Sequence, residues 1–159
     1  MGIHAKIPTN LFLHKATKKD VETTYRWASN PEITKYLSTT KEIDWESHKK
    51  WFYGKIEEED CEYYMLFEKE IPVGSIKFEI QEKGAAGVNY LIDPSFQGRG
   101  FGKLLLALGV EEIRTNRPEV KFVGGLVRNE NLPSIKVFSA LDFSIEYEGA
   151  EQTAFIKEI

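Results

Sequence analysis

Three glycines in five residues, Gly98, Gly100 and Gly102, stand between an apolar stretch that ends in Ile92-Asp93-Pro94 and a longer apolar run from Phe101 to Thr115. In that run Leu106, Val110 and Ile113 fall at helical spacing. A strand that turns through glycines into a helix start gathers several unpartnered backbone N–H groups at one point, and glycine lets an anion approach them closely. Arg99 and Lys103 add positive charge there, and the helix dipole acts in the same sense. Tyr90 to Lys103 is therefore a candidate anion cradle, suited to a pyrophosphate.

Spacing narrows the choice of anion site. A P-loop needs Ser or Thr after its Gly-Lys pair, whereas Leu104 follows Lys103. A dinucleotide fingerprint needs G-x-G-x-x-G in an N-terminal βαβ unit; these glycines run G-x-G-x-G and lie two-thirds along the chain. An ordinary glycine-rich turn into a core helix stays open on spacing alone.

The rest of the chain reads as a mixed α+β order. Leu11 to Ala16 is a candidate strand. Asp20 is read as the N-cap of a helix with Val21, Tyr25 and Ala28 on one face, stopped by Asn30-Pro31. A second helix starts near Asp44 and places Trp45, His48, Phe52 and Ile56 on one face, with the acidic run Glu57 to Asp60 as its solvated end. Glu62 to Glu68, Ile71 to Ile80 and Ala86 to Ile92 are extended, followed by the glycine loop and its helix. Lys121 to Val127 reads as a strand, Leu132 to Leu141 as a helix, and Phe143 to Tyr147 and Thr153 to Lys157 as closing strands. This order is unlike the strict alternation of a doubly wound fold.

Size and composition fit one domain over residues 1–159, since a chain of 159 residues buries enough surface to need no disulfide or metal. The single cysteine, Cys61, forms no internal disulfide, which suits a reducing compartment, and its acidic neighbours argue against a nucleophilic role. No apolar run approaches the length that spans a bilayer, and Met1 to Lys6 lacks the apolar core of a secretory signal. A formal net charge of -4 disfavours nucleic acid and anionic membrane as partners. The expectation is a cytoplasmic monomer or homodimer. His4 and His14 have no partner ligand at metal spacing, so no metal is expected. The aromatics Tyr63, Tyr64, Phe67 and Phe78 read as core rather than as a base-stacking platform.

The flanks of the glycine loop resemble the GCN5-related N-acetyltransferase (GNAT) superfamily, whose motif reads Q/R-x-x-G-x-G/A after a strand that often ends in Asp-Pro. Gln97, Gly100 and Gly102 occupy its three fixed positions. A later superfamily segment, V-x-x-x-N-x-x-A/S-x-x-x-Y, is matched by Val127, Asn131 and Ser134, with Phe138 at the last position. The resemblance covers residues 62–159 well and the N-terminal helices more loosely. It implies a central, mixed, mostly antiparallel sheet of about seven strands flanked by about four helices, and acetyl-CoA as co-substrate. It also implies that the backbone of Leu91 and Ile92 pairs with the pantetheine arm where two strands splay apart. Gln97, Gly98, Arg99, Gly100, Phe101, Gly102 and Lys103 would form the pyrophosphate cradle. Asn131, beside Ser134, would hydrogen-bond the pantetheine, and Phe138 would lie beside the thioester.

Phe138 is a departure, because many relatives carry there a tyrosine proposed to protonate the leaving sulfur. Ser134, Ser139 and Tyr90 are alternative donors, and the sequence selects none. For the base, relatives acting on peptide N-termini often have a glutamate where this chain has Leu126, which argues against that substrate class. Glu79 and His48 are the catalytic candidates instead. The run from Trp45 to Phe52 is similar to the W-x-x-H-x-x-W-F stretch of acetyltransferases acting on nucleotide-linked amino sugars, in which the second helix helps wall the acceptor pocket. Tyr25 to Tyr36 shares that likeness, although an arginine often found three before the proline is here Ala28. The expected function is acetyl transfer to a small-molecule primary amine such as a nucleotide-linked amino sugar. A protein or peptide acetyltransferase and a non-catalytic acyl-CoA-binding module are the alternatives.

Overall fold

The computed structural model describes residues 10–36 and 42–159. His4 and the stretch from Met1 to Lys6 lie outside the described residues. The elements run β1 (Leu11–Lys15), α1 (Val21–Ala28), α2 (Pro31–Thr34), α3 (Trp45–Glu57), β2 (Cys61–Glu68), β3 (Ile71–Ile80), β4 (Ala85–Ile92), α4 (Phe101–Asn116), β5 (Phe122–Arg128), α5 (Leu132–Ala140), β6 (Ser144–Glu148) and β7 (Gln152–Glu158). The seven strands form one sheet in the order β1-β2-β3-β4-β5-β7-β6. Every neighbouring pair is antiparallel except β4 with β5. This is the mixed, mostly antiparallel α+β sheet expected, with α2 as an additional short turn of helix.

The N-terminal helices differ in detail from the sequence reading. Asp20 stands at the N-cap of α1, as expected, but its side chain makes no capping bond to that helix. Its carboxylate accepts from Thr17 N at 2.8 Å and closes a capping box around the single turn Lys18–Asp20 that leads into the helix. The buried face of α1 is Val21, Thr24 and Trp27, not Val21, Tyr25 and Ala28. Asn30-Pro31 ends α1 but also opens α2, since Asn30 Oδ1 accepts from Glu32 N and Pro31 fills the first helical position. In α3 the expectation holds: Asp44 caps the helix through Ser47 N at 2.9 Å, and His48 and Phe52 are its buried residues.

Two apolar layers sandwich the sheet. On one face α4 and α5 cover Leu66, Ile76, Phe78, Val88, Val123, Val127 and Phe155. Gly109 lets α4 sit close to β3, because a Cβ there would meet Ile76 Cδ1 at 2.7 Å. On the other face α1 and α3 cover Tyr63 and Met65 with Val21, Trp27 and Phe52. β2 is therefore buried on both sides from Cys61 to Leu66.

A buried ionic network ties the end of α4 to β2. The Glu62 carboxylate receives Lys15 Nζ at 3.0 Å, Arg117 Nε at 2.7 Å and Tyr64 Oη at 2.9 Å, and Arg117 also donates to the Glu59 carbonyl. Burial pushes the Glu62 pKa up, but Lys15, Arg117 and Tyr64 outweigh it and hold it below the ordinary value. Arg117→Ala leaves this buried carboxylate short of a partner and is expected to cost about 1–3 kcal/mol in urea unfolding. Because the folded pKa is depressed, this stabilisation is present above the ordinary value of 4.5 and is lost as pH falls through the folded value. The gap between wild type and variant should therefore close in acid; a gap that is constant with pH would contradict the assignment.

Candidate active site

The β4–β5 ladder consists of only three pairs, Ala85–Phe122, Ala86–Val123 and Gly87–Gly124. Beyond them β4 stays paired with β3 as far as Ile92, and β5 stays paired with β7 as far as Arg128. A V-shaped cleft opens between the two strands, its edges formed by unpaired backbone. Asp93 N donates to Val73 O on β3 at 2.7 Å. Backbone groups alternate sides along a strand, so Leu91 also faces β3, whereas Tyr90 and Ile92 present their N–H and C=O groups to the cleft. Of the two residues expected at the cleft edge, Ile92 is there and Leu91 is not; Tyr90 takes its place.

The glycine loop lies at the wide end of this cleft. Gly98 and Gly100 have φ of +81° and +82°, and a Cβ at either would meet nothing within 4 Å. They are glycine for conformation, and the space above them is open. Gly100 caps α4 without any side-chain hydrogen bond, and the first helical bond runs from Leu104 N to Gly100 O. The N–H groups of Phe101, Gly102 and Lys103 consequently lack helical acceptors. Lys103 is exposed and makes no ion pair among the described residues. Arg99 is engaged elsewhere, bound to Glu68 at 3.2 Å with its guanidinium over the Phe101 ring. Gln97 Nε2 folds back on Ile92 O at 3.4 Å. These groups fit a diphosphate held chiefly by main-chain donors.

Asp93 anchors the turn before the loop. One carboxylate oxygen accepts from Ser95 N and the other from Trp27 Nε1, each at 2.8 Å. Burial raises the Asp93 pKa, but Trp27 and Ser95 bring it below the usual value. Trp27 is 1% exposed and comes from α1, so the helix on the far face holds the cradle in place. Sequence reasoning missed this bond; Asp93 was legible only as a strand end.

The α5 wall carries Asn131, Ser134 and Phe138. Asn131 Oδ1 caps α5 through Ser134 N at 3.3 Å, which leaves its Nδ2 to donate. Phe138 is 3% exposed, stacked on Phe155 at 5.3 Å and edge-on to Phe143 at 4.9 Å. Its ring tip lies where a Cβ on Gly125 would be, 2.5 Å away. Ser139 is exposed. Tyr90 Oη donates to Ser134 Oγ at 3.2 Å.

Neither catalytic candidate stands ready as a base. His48 is 2% exposed between α1 and α3, with Nε2 2.9 Å from Thr24 Oγ1. Thr24 Oγ1 already donates to Val21 O, so Nε2–H is the donor to it and the buried Nδ1 is left without a partner. Burial pushes the His48 pKa down. It bridges two helices and does not face an open surface. Glu79 is bound by Lys55 Nζ at 2.8 Å and Lys77 Nζ at 3.5 Å; the Lys55 bond foremost holds its pKa below the usual value and makes it a weak base.

Lys55 belongs to a groove beside α3. A cavity of about 440 Å³ is lined by Ser47, Lys50, Trp51, Gly54, Lys55 and Glu58. Trp51 is 39% exposed, and Lys77 Nζ lies 4.9 Å from its ring centre. Lys77 pairs with Asn89 on β4, two residues past the last β4–β5 pair. Among the described residues no group of three His, Cys, Asp or Glu is placed to hold a metal ion, and no helix is long and apolar enough to cross a membrane.

Residues 10–144 match the family model of the acetyltransferase (GNAT) domain. The chain belongs to that family. A curated relative, the uncharacterized N-acetyltransferase p20 of Bacillus licheniformis, is 29% identical over 148 residues, covering 86% of this chain and 80% of its own. In fold the chain is similar to RimL, the ribosomal L7/L12 alpha-N-protein acetyltransferase in complex with coenzyme A (TM-score 0.82, 20% identity, 97% of each chain). It is also similar to the spermidine N-acetyltransferase of Vibrio cholerae in complex with CoA and spermine (TM-score 0.84, 14% identity, 95% and 96% of the chains). The protein is an acetyl-CoA-dependent N-acetyltransferase.

Two outcomes follow from this geometry. Gly100→Glu puts a strained residue and a carboxylate at the cradle, and acetyl-CoA affinity measured by calorimetry should fall on the order of a hundredfold; unchanged affinity would remove the cradle assignment. For His48 the folded pKa is depressed, so its stabilising neutral form is fully present above the ordinary value of 6.5 and is lost as pH falls through the folded value. His48→Phe should abolish that part of the stability loss on acidification below 6.5 and leave acetyl transfer intact.

Proposed function

We propose that the chain moves the acetyl group directly to the primary amine of an anionic, ring-bearing small molecule, with a nucleotide-linked amino sugar as the acceptor class. The observation that carries this reading is the half-open Trp51 ring in a groove lined by Lys50, Lys55 and Glu58, with Lys77 Nζ 4.9 Å from the same ring. A planar base stacks on an exposed indole, and a lysine excess suits phosphates. The same excess disfavours polycations, which need an acidic pocket. Leu126, 58% exposed on β5, supplies no carboxylate for a peptide N-terminus.

Bound acetyl-CoA supplies an activated acyl thioester. Gly98, Gly100 and the start of α4 hold its diphosphate, and the cleft-facing backbone of Tyr90 and Ile92 with Asn131 Nδ2 aligns its amide-bearing arm. The groove is open to solvent, so water takes the proton that the amine sheds.

Thiol release with a panel of nucleotide amino sugars, aminoglycosides, polyamines and peptides tests the acceptor. Trp51→Ala is expected to raise the acceptor KM about tenfold, the scale of one lost stacking contact, while the KM for acetyl-CoA holds. Preferred turnover of a polyamine, an aminoglycoside or a peptide would defeat the anionic-acceptor reading, and binding of acetyl-CoA with no turnover of any amine would defeat transfer itself.

A further inference from the structure

Acyl transfer from a thioester leaves negative charge on sulfur, and a hydroxyl aimed at that atom lowers the barrier. Phe138 has no hydroxyl, and its ring is enclosed by Phe143, Phe155 and Gly125. Ser139 is exposed, with no side-chain hydrogen bond among the described residues. Tyr90 is differently placed. It lies three residues beyond the last β4–β5 pair, on the strand whose backbone edge is open. Its side chain turns toward the α4–α5 side: the ring is 3.4 Å from where a Cβ on Gly102 would stand, and ring centres of Tyr90 and Phe138 are 6.1 Å apart. The absence of a side chain at Gly102 makes room for the phenol, and Ser134 Oγ accepts from its hydroxyl.

We propose that Tyr90, supported by Ser134, supplies the hydroxyl that receives the departing CoA sulfur, in place of the tyrosine that many relatives carry at the position of Phe138. In the resting geometry the Tyr90 O–H donates to Ser134. When charge develops on sulfur both hydroxyls rotate: Ser134 Oγ–H donates to Tyr90 Oη, and Tyr90 Oη–H donates to sulfur. Each hydroxyl carries one proton and accepts through its lone pairs, so the chain is satisfied in both settings. Burial raises the phenol pKa against the opposing bond with Ser134, which keeps the phenol protonated as a donor. The amine nitrogen forms the new C–N bond, and the C–S bond breaks with its electron pair on sulfur. The proton shed by the amine passes to water, and the thiolate regains one from water, giving amide and CoA thiol without an oxidant or reductant.

The proposal rests on acetyl transfer and not on the identity of the acceptor, so its first test uses the binary complex of enzyme and CoA. The apparent pKa of the bound CoA thiol is read from the NMR shift of the methylene carbon next to sulfur as pH is raised. A donor held at sulfur stabilises the thiolate, so Tyr90→Phe is expected to raise this pKa by about one unit, a tenfold change in the ionisation constant, and Ser134→Ala by less in the same direction. With any amine the enzyme accepts, Tyr90→Phe should also lower kcat about tenfold or more, with the KM for acetyl-CoA within about twofold. A bound thiol pKa equal in wild type and Tyr90→Phe overturns the proposal, as does a raised KM at unchanged kcat, which would make Tyr90 a wall of the arm site. Should Tyr90→Phe fail to fold, Ser134→Ala decides: no shift in the thiol pKa overturns the relay.

Discussion

The β4–β5 ladder ends after Gly87 and Gly124 although both strands continue, each held on its outer edge by β3 or β7. Tyr90 leans from β4 against Gly102 and Ser134, and Phe138 lies on Gly125 of β5. With these rings in place the two strands stay apart while β3 and β7 hold their outer edges. Unpaired backbone inside a protein costs free energy unless something bonds to it. The cleft therefore suits a ligand with its own amide groups, and the glycine loop, as the proposed diphosphate cradle, would give that ligand a direction.

The two faces of the sheet do different work, and a few polar bonds join them. Trp27 reaches from α1 to Asp93, whose other oxygen shapes the turn that sets Gly98 and Gly100. Glu62 gathers Lys15 and Arg117 and fixes the far end of α4. The helix whose first turn is proposed to hold the anion is thus secured at both ends by groups from the opposite layer or its strands. A displacement of α1 would be felt at the cradle through a single indole–carboxylate bond, with no contact between α1 and the ligand required.

The fold was legible wherever one period dominated. α3 and α4 follow their apolar spacing, and the glycine loop was recognised by its spacing and flanks. What escaped depended on partners distant in sequence. Nothing local marks Trp27 as the donor to Asp93, 66 residues away. Thr24 is buried in α1 because His48 needs its hydroxyl, which an apolar periodicity cannot register. Glu79 reads from the sequence as a catalytic candidate, and nothing local shows that α3 brings Lys55 to it. The exchange of Leu91 for Tyr90 at the cleft edge turns on which strand neighbour each backbone group meets, and one residue of parity reverses that.

The engagement of Glu79 by two lysines and of His48 in the core fits the rest of the described site. A base buried near the vertex would have to be ionised without a partner, at considerable cost in a cleft lined by rings. The chain instead pairs Glu79 with two lysines and keeps His48 neutral in the core, so the charge left over in the groove is positive. A positive field lowers the pKa of an incoming ammonium and so favours the neutral, nucleophilic amine. It also attracts the phosphates of an anionic acceptor. On the proposed function, the lysines around Trp51 serve binding and deprotonation together, and the proposed Tyr90 hydroxyl acts on the sulfur side of the reaction.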